Sequence, residues 1–372
     1  MSSRFRAFAG AAMLLVLGAC ASSIVPAAPP PRASTTISQS PPRAIAPRPI
    51  QRPAAVRADR TVQAPRGLDA AIRALGSGFS GTVGIAVRDV HEDWLVHYNG
   101  HQLMPQQSVS KLWVGITLLD AVDRGRLSLS DSVTVRPEDL TLFHQPIAAL
   151  VGKDGYVTTI SALLDRAMTQ SDNTANDTLL RKSGGPDAVR AVLARNGIAE
   201  VRFGPGERLL QAGTAGMAWQ QSYARGNGFG IARSALPMDR RLAALERYLA
   251  DPPDGASAVG IVNGLARLKR GEMLSSRSTD YLLRVMSESK TGPQRLKGGL
   301  SYGWTFAHKT GTGQELAGRS TGYNDVALLT APDGHTYAVA VLIQQTRRPI
   351  PERMALMQAV TRAIIASHPA RY

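Results

Sequence analysis

Three short clusters of reactive side chains carry the chemistry that this 372-residue chain could perform. Ser108-Val109-Ser110-Lys111 sets a hydroxyl and an amine three residues apart, which puts both on one face of a helix. Serine is a poor nucleophile until a base takes its proton, and an amine can do so once burial or another cation lowers its pKa. At the start of a helix, backbone N–H groups also point where negative charge develops on an attacked carbonyl. Ser171-Asp172-Asn173 follows 63 residues after Ser108, and Lys309-Thr310-Gly311 comes later, running on as Thr312-Gly313. Singly, the second is a common helix-cap sequence and the third an ordinary strand end. The three in this order are far more specific than any one of them.

A second match, Ser287-Glu288-Ser289-Lys290, overlaps a second Lys-Thr-Gly at Lys290-Thr291-Gly292. It is rejected as the site. It falls at the C-terminal end of a helical pattern just before Pro293, where the helix dipole disfavours an anion. One lysine also cannot serve as both base and separate anchor. His91, His97 and His101 sit on a strand hairpin with no metal-binding helix motif, so they read as solvated and no metal is expected. His308 precedes Lys309 on a strand and therefore points away from the site. No Gly-rich phosphate loop follows a strand, so no nucleotide or other cofactor is expected.

The elements that must hold these groups are legible in outline. Leu68, Ile72 and Leu75 lie at helical spacing, and Thr82–Val90 and Trp94–Tyr98 read as strands. A helix follows Ser108 through Leu112, Ile116, Leu119 and Val122, ending near Gly125. Helical patterns fill 158–288, including Ala258–Arg270 and Ser276–Ser287. Strands return at Gly303–Lys309, Asp325–Thr330 and Tyr337–Ile343, before a last amphipathic helix carrying Met354, Met357, Val360 and Ile364. The implied fold class is α/β (α+β): an antiparallel sheet built from both termini and flanked by helices, with an all-helical domain inserted. The sheet subdomain is assigned to 67–105 and 287–372 and the helical subdomain to 106–286. Together they make one catalytic domain, 67–372.

Composition fits a folded enzyme with an appendage. Hydrophobic residues make up 44% of the chain and charged residues 19%, so most of it can bury a core. The net charge is +15, but residues 1–66 hold nine Arg, no Lys and one acid, Asp59. No basic run alternates with aromatics, so no nucleic-acid partner is expected. The single cysteine, Cys20, excludes an intrachain disulfide. Arg4 and Arg6 precede an apolar run, Ala7 to Leu17, and then Leu17-Gly18-Ala19-Cys20: a signal peptide over 1–19, too short to span a bilayer. Residues 20–66 read as an extended tether, since ten of the 23 prolines fall in 21–66 among Ala, Ser and Arg.

Together the three motifs resemble the class A serine β-lactamases and their penicillin-binding relatives. The resemblance spans roughly residues 68–366 and extends to Gly184-Gly185-Pro186, Gly271-Glu272-Met273-Leu274, Gly303-Trp304 and Asn324-Asp325-Val326-Ala327. It implies that Ser108 is acylated, that Lys111 is its base or proton relay, and that Ser171 passes the proton to the leaving nitrogen. It implies that Asn173 holds a substrate amide, that Lys309 and Thr310, with Gly311 beside them, bind its carboxylate, and that the N–H groups of Ser108 and Thr312 form the oxyanion hole. The family's carboxylate-binding arginine is replaced on the final strands by Asn324, and Arg295 falls at its alternative position. Glu207 lies 36 residues after Ser171, the family's place for the acid that activates the deacylating water, with Gln211 where the family has asparagine.

Departures cluster here: Arg208 replaces a proline and Pro205 an arginine, leaving Arg202 and Asp254 to close the loop. Gln211 to Lys309 spans 98 residues, longer than the family's spacing, which places an insertion around 212–254. Gly226, Gly228 and Gly230 predict that it is loop-rich. Leu17-Gly18-Ala19-Cys20 resembles the bacterial lipobox, implying a lipid on Cys20 and a periplasm-facing monomer tethered to the membrane, the outer one by analogy with Ala21. The expected activity is hydrolysis of a β-lactam through an acyl-serine. The alternatives are a D,D-carboxypeptidase acting on peptidoglycan stem peptides and a non-hydrolytic penicillin-binding sensor.

Overall fold

A computed structural model of the protein describes residues 63–369, all within the unit Asp59–Tyr372. The signal sequence, Cys20 and most of the tether lie outside the described residues. From the N-terminal side come α1 (Arg66–Gly78), β1 (Thr82–Asp89), β2 (Leu95–Tyr98), β3 (Met104–Pro105) and α2 (Lys111–Asp123). The middle holds β4 (Ser132–Val135), β5 (Tyr156–Thr159), α3 (Ile160–Asp165), α4 (Asn173–Lys182), α5 (Gly185–Arg195) and α6 (Glu207–Thr214). Next come α7 (Gly228–Ala235), α8 (Met238–Ala250), β6 (Gly255–Ala256), α9 (Ala258–Lys269) and α10 (Ser276–Ser287). The chain closes with β7 (Thr305–Thr312), β8 (Glu315–Leu316), β9 (Arg319–Thr330), β10 (Thr336–Thr346) and α11 (Ile350–Ser367).

The main sheet runs β2-β1-β10-β9-β7 with every pair antiparallel, so β1 from the N-terminal side is wedged between β2 and β10. Both faces of β1 and β10 are covered. Val83, Ile85, Val87, Val339, Val341 and Ile343 pack towards Ile72 of α1 and Met357, Val360 and Ile364 of α11. Ala86, Ala338, Ala340 and Leu342 turn to the other face, with Ile261, Val262 and Leu265 of α9. That period-two division follows from the pleat. Small residues on the second face let α9 lie close.

The region 212–254 differs from its sequence reading. It is helical where glycines predicted loops, with Gly228 and Gly230 inside α7. Burial outweighs glycine's weak helix propensity here. Phe229 is buried against Leu142 and Ala215, and its ring meets Phe143 edge-on at 5.0 Å. Leu245 and Leu249 of α8 pack with Leu316.

Candidate active site

Ser108 sits in a 3-10 turn, Gln107–Ser110, that leads directly into α2. The turn is held in an unfavourable shape. Gln107 has φ +54°, in the left-handed region, a conformation that persists in a non-glycine residue only where its surroundings impose it. They do so here. The Gln107 N–H donates to Asp254 Oδ2 at 2.8 Å, and its side-chain amide donates to the Tyr248 hydroxyl at 2.7 Å. That hydroxyl in turn donates to Asp254 Oδ1 at 3.0 Å. Gly311 of β7 lies against the same turn, and a Cβ there would collide with the Gln106 carbonyl oxygen. Only glycine lets the strand approach the Ser108 turn this closely.

Lys111, at the first turn of α2, is 1% exposed. Its Nζ donates to Ser108 Oγ at 2.8 Å, to Asn173 Oδ1 at 2.9 Å and to Glu207 Oε1 in a short, buried ion pair. Three donors are thus spent on three acceptors, the full capacity of an ammonium. Ser171 ends the π-helical turn Arg166–Gln170 that continues α3, and it too is left-handed, with φ 60°. Asp172 caps α4, accepting from Ala175 N at 2.9 Å and from Ile147 N at 2.7 Å. The middle residue of Ser171-Asp172-Asn173 is therefore a structural cap, while its two neighbours face the cleft. Asn173 is oriented by donating from Nδ2 to Leu142 O at 2.9 Å.

Lys309 is fully buried on β7 and donates from Nζ to Ser171 Oγ at 2.9 Å and to Thr310 O at 2.9 Å. Burial, reinforced by the Lys111 charge, holds its ammonium pKa well below the ordinary lysine value. Arg295 lies under the strand end, 8% exposed. It donates to Gly311 O at 2.9 Å, to Asn324 O at 2.6 Å and to Thr312 Oγ1 at 2.6 Å, and stacks on the Tyr323 ring at 3.8 Å. Lys111, Lys309, Arg295 and Arg233 outnumber the acids Glu207 and Glu315 around the cleft, an excess of positive groups suited to an anionic ligand.

Glu207 begins α6 and is 3% exposed. Its N–H and that of Arg208 donate to the Asp177 carboxylate at 2.9 and 3.3 Å. Burial, with the nearby Glu207 charge, raises the pKa of Asp177 above the usual carboxylate value. Arg202 and Asp254 do not pair. Arg202 bonds the exposed Asp251 instead, and Asp254 turns inward to Gln107 and Tyr248. The Glu207 segment is fastened from beneath by Asp177 and, at its side, by Arg208, whose guanidinium donates to Asp139 O at 2.8 Å and lies over Trp219. Gln211 Nε2 is 3.0 Å from Gln107 Oε1 and 3.4 Å from Glu207 Oε2, and Gln314 donates to Gln211 Oε1 at 3.1 Å. The amide is thus held at both ends beside the carboxylate.

The cleft over these groups encloses about 470 Å³, with Ser108, Ser171, Asn173, Gln211, Arg295, Thr310 and Thr312 among its lining. Lys111, Glu207 and Lys309 reach it from below. All the site residues read from the sequence within the described region converge here. His308 points away, to Asp325 Oδ1 at 2.9 Å. Sequence reasoning missed Phe143, His144, Gln314, Glu315 and Arg233, which also line the cleft, and it rejected the second Lys-Thr-Gly as the site. Thr291 of that rejected motif shares a hydrogen bond of 2.7 Å with Thr310 Oγ1 and forms part of the wall. Gly292 makes this approach feasible, since a Cβ there would come within 2.8 Å of Thr310 Cγ2. A glycine directly after Thr291 was the one available signal.

Comparison with known proteins agrees with this geometry. A model of the beta-lactamase enzyme family matches residues 67–367. Beta-lactamase VEB-1 of Pseudomonas aeruginosa is 26% identical over 265 residues, 71% of this chain and 78% of that protein. The extended-spectrum beta-lactamase PER-1 of the same organism is 29% identical over 276 residues, 74% and 79% of the two chains. Among solved structures, a beta-lactamase from Chitinophaga pinensis superposes with a TM-score of 0.65 at 25% identity, covering 81% of this chain and 98% of that one. The TLA-1 extended-spectrum beta-lactamase shares the fold with a TM-score of 0.66 at 22% identity, covering 82% and 98%. A 3-10 turn that presents Ser108, a buried lysine on its hydroxyl and a Lys-Thr-Gly strand closing the same cleft, inside a match over residues 67–367, make this protein a member of the beta-lactamase enzyme family, of the class A serine kind.

Proposed function

We propose that the protein opens β-lactam rings by acylating Ser108 and then hydrolysing the ester, with Glu207 directing the water. The observation that carries this reading is the placement of Lys111 Nζ between Ser108 Oγ and Glu207 Oε1. As an ammonium donating to all three neighbours, Lys111 must first pass a proton to Glu207 before it can accept one from Ser108. The short contact to Glu207 supplies that route. Ser108 Oγ then attacks the lactam carbonyl while its proton moves to Lys111, and the N–H groups of Ser108 and Thr312 stabilise the oxyanion. As the ring C–N bond breaks, Ser171 gives its proton to the nitrogen. Lys309 donates to the Ser171 oxygen, which leaves the Ser171 hydrogen directed at the substrate.

Before the second half Ser171 recovers a proton from Lys111 and Glu207 returns its own to Lys111, which restores the carboxylate. Glu207 then takes a proton from water, the hydroxide attacks the acyl carbon, and the ester bond to Ser108 Oγ breaks as that oxygen regains its proton through Lys111. Lys309, Thr310, Thr312 and, through Thr312, Arg295 receive the substrate carboxylate. The test is turnover of a chromogenic cephalosporin by the purified protein and accumulation, in Glu207→Gln, of a Ser108-linked adduct seen by intact mass. A wild-type protein that stalls as the adduct, or that releases D-alanine from a stem-peptide mimic while sparing the lactam, would replace this reading with the sensor or the peptidase. The lipobox-like Leu17-Gly18-Ala19-Cys20 supports a further part of the proposal, a monomer lipid-anchored through Cys20 and facing the periplasm.

A further inference from the structure

We propose that Asp89, His91 and His335 form a site for a divalent transition ion of the Zn2+ class, at the end of the sheet remote from Ser108. The three residues are far apart in sequence and are brought together by strand register. Asp89 is the last residue of β1 and pairs with Tyr337 at the start of β10, so the turn after β1 lies beside the turn between β9 and β10. In β7 the catalytic end, Thr312, pairs with Tyr323, whereas Thr305 pairs with Thr330 next to that turn. At about 3.3 Å per residue, the two ends of β7 are separated by on the order of 20 Å.

One ligand atom from each of Asp89, His91 and His335 lies within 4.8 Å of the others. His335 Nε2 is 2.5 Å from Asp89 Oδ2, and the His91 and His335 ring centroids are 4.9 Å apart. A tetrahedral ion with bonds of about 2.0–2.2 Å needs its donors roughly 3.3–3.6 Å apart. The contact between His335 and Asp89 must therefore open by about 1 Å and the widest separation close by about as much. His91 is exposed, so its ring can move that far at little cost. Two imidazoles and one carboxylate are the mixed nitrogen and oxygen set that suits Zn2+ and its neighbours, with a position left for water.

The outer shell is already built. Asp89 Oδ1 accepts the N–H groups of His91 and Glu92, each at 2.8 Å, which fixes the carboxylate and the following turn. On the opposite turn the His335 N–H donates to Asp333 Oδ1 at 3.0 Å. Such supports orient ligands before the ion arrives. His368 adds a third imidazole nearby, its ring 5.8 Å from that of His335 and its Nδ1 2.8 Å from the Tyr337 hydroxyl. Arg270 also comes near, reaching Val90 O at 3.3 Å, but its charge is balanced by Asp93 and Glu272. A hydrogen bond between Asp89 and His335 would by itself tie the two turns. The His91 ring laid against His335 is what such a tie does not require and a metal site does.

The full chain is titrated with ZnCl2 by calorimetry and with CoCl2 by visible absorption, beside His91→Ala, Asp89→Asn and His101→Ala. The assignment expects a site whose affinity falls at least about tenfold in His91→Ala and Asp89→Asn. It expects no change in His101→Ala, whose ring lies with His97 and Glu200 elsewhere. Because His91 is exposed, its replacement leaves the fold intact, which circular dichroism checks independently. Absence of binding by the wild type, binding undiminished in His91→Ala, or loss of binding in His101→Ala overturns it. None of these readouts depends on hydrolysis at Ser108.

Discussion

Replacing Asp254 by asparagine should make the protein more stable at neutral pH, although it removes a buried and fully hydrogen-bonded carboxylate. Burial is the first cause that lifts the pKa of Asp254 from 3.8 to about 6, and it outweighs the bonds from Gln107 N–H and the Tyr248 hydroxyl. A carboxyl with a higher pKa in the folded state binds its proton more tightly there. Its contribution therefore favours folding at low pH and is lost as pH rises from about 4 through 6. A difference of roughly two pH units, at about 1.4 kcal/mol each, amounts to about 3 kcal/mol once the group is ionised. Asparagine keeps an acceptor for Gln107 and carries no charge, and the Tyr248 oxygen can accept from its amide.

Denaturant unfolding of wild type and Asp254→Asn at several pH values isolates the effect, because the other titrating groups are common to both. The variant should match the wild type near pH 4 and exceed it by about 3 kcal/mol at pH 7 to 8. A difference that does not change with pH, or a less stable variant at pH 7, would refute the burial argument.

Removing Arg295 (Arg295→Ala) takes donors from the carbonyls of Gly311 and Asn324 and from Thr312 Oγ1. We expect a stability loss of about 1–3 kcal/mol together with a KM for cephalosporin raised more than kcat is lowered, read by steady-state kinetics. Gly311→Ala drives a methyl into the Gln106 carbonyl, so turnover should fall and the thermal midpoint drop, with the loss scaling with side-chain size in Gly311→Val. Cys20→Ser should move the protein from the membrane fraction to the soluble fraction of cells without altering the specific activity of purified protein. Equal membrane content in both would count against the anchor.

The legible parts of this site were those whose chemistry is local. Ser108 and Lys111 declare themselves by a three-residue spacing, and Asp172 by its place before a helix. The sheet was readable because β1 and β10 are apolar over whole strands, even though burial on both faces erases the alternation of polar and apolar residues. What was not legible depends on long-range register. Asp254 looked like a partner for Arg202, and only its burial beneath Gln107 shows that it braces the turn carrying Ser108. Thr291 was dismissed because its own neighbourhood is a helix exit, which is correct; the approach of β7 is what places it against Thr310. Helix α7 was hidden by Gly228 and Gly230, whose effect is outweighed by Phe229 finding partners outside its own segment, and α8, which holds no glycine, was covered by the same loop-rich reading of 212–254 although Leu245 and Leu249 pack with Leu316.

The position of β1 between β2 and β10 has a consequence for biosynthesis. A chain made from its N-terminus completes β1 some 250 residues before the strand that covers its second edge has been formed. Over that interval an apolar ribbon with unpaired N–H and C=O groups is open to association with other chains. Closure also awaits contacts of very long sequence separation, which slows the final step. Premature termination before residue 336 should therefore yield an aggregate and not a weakened enzyme, and holding factors that shield nascent strands should matter more to the yield of this protein than to that of an all-helical one of equal length.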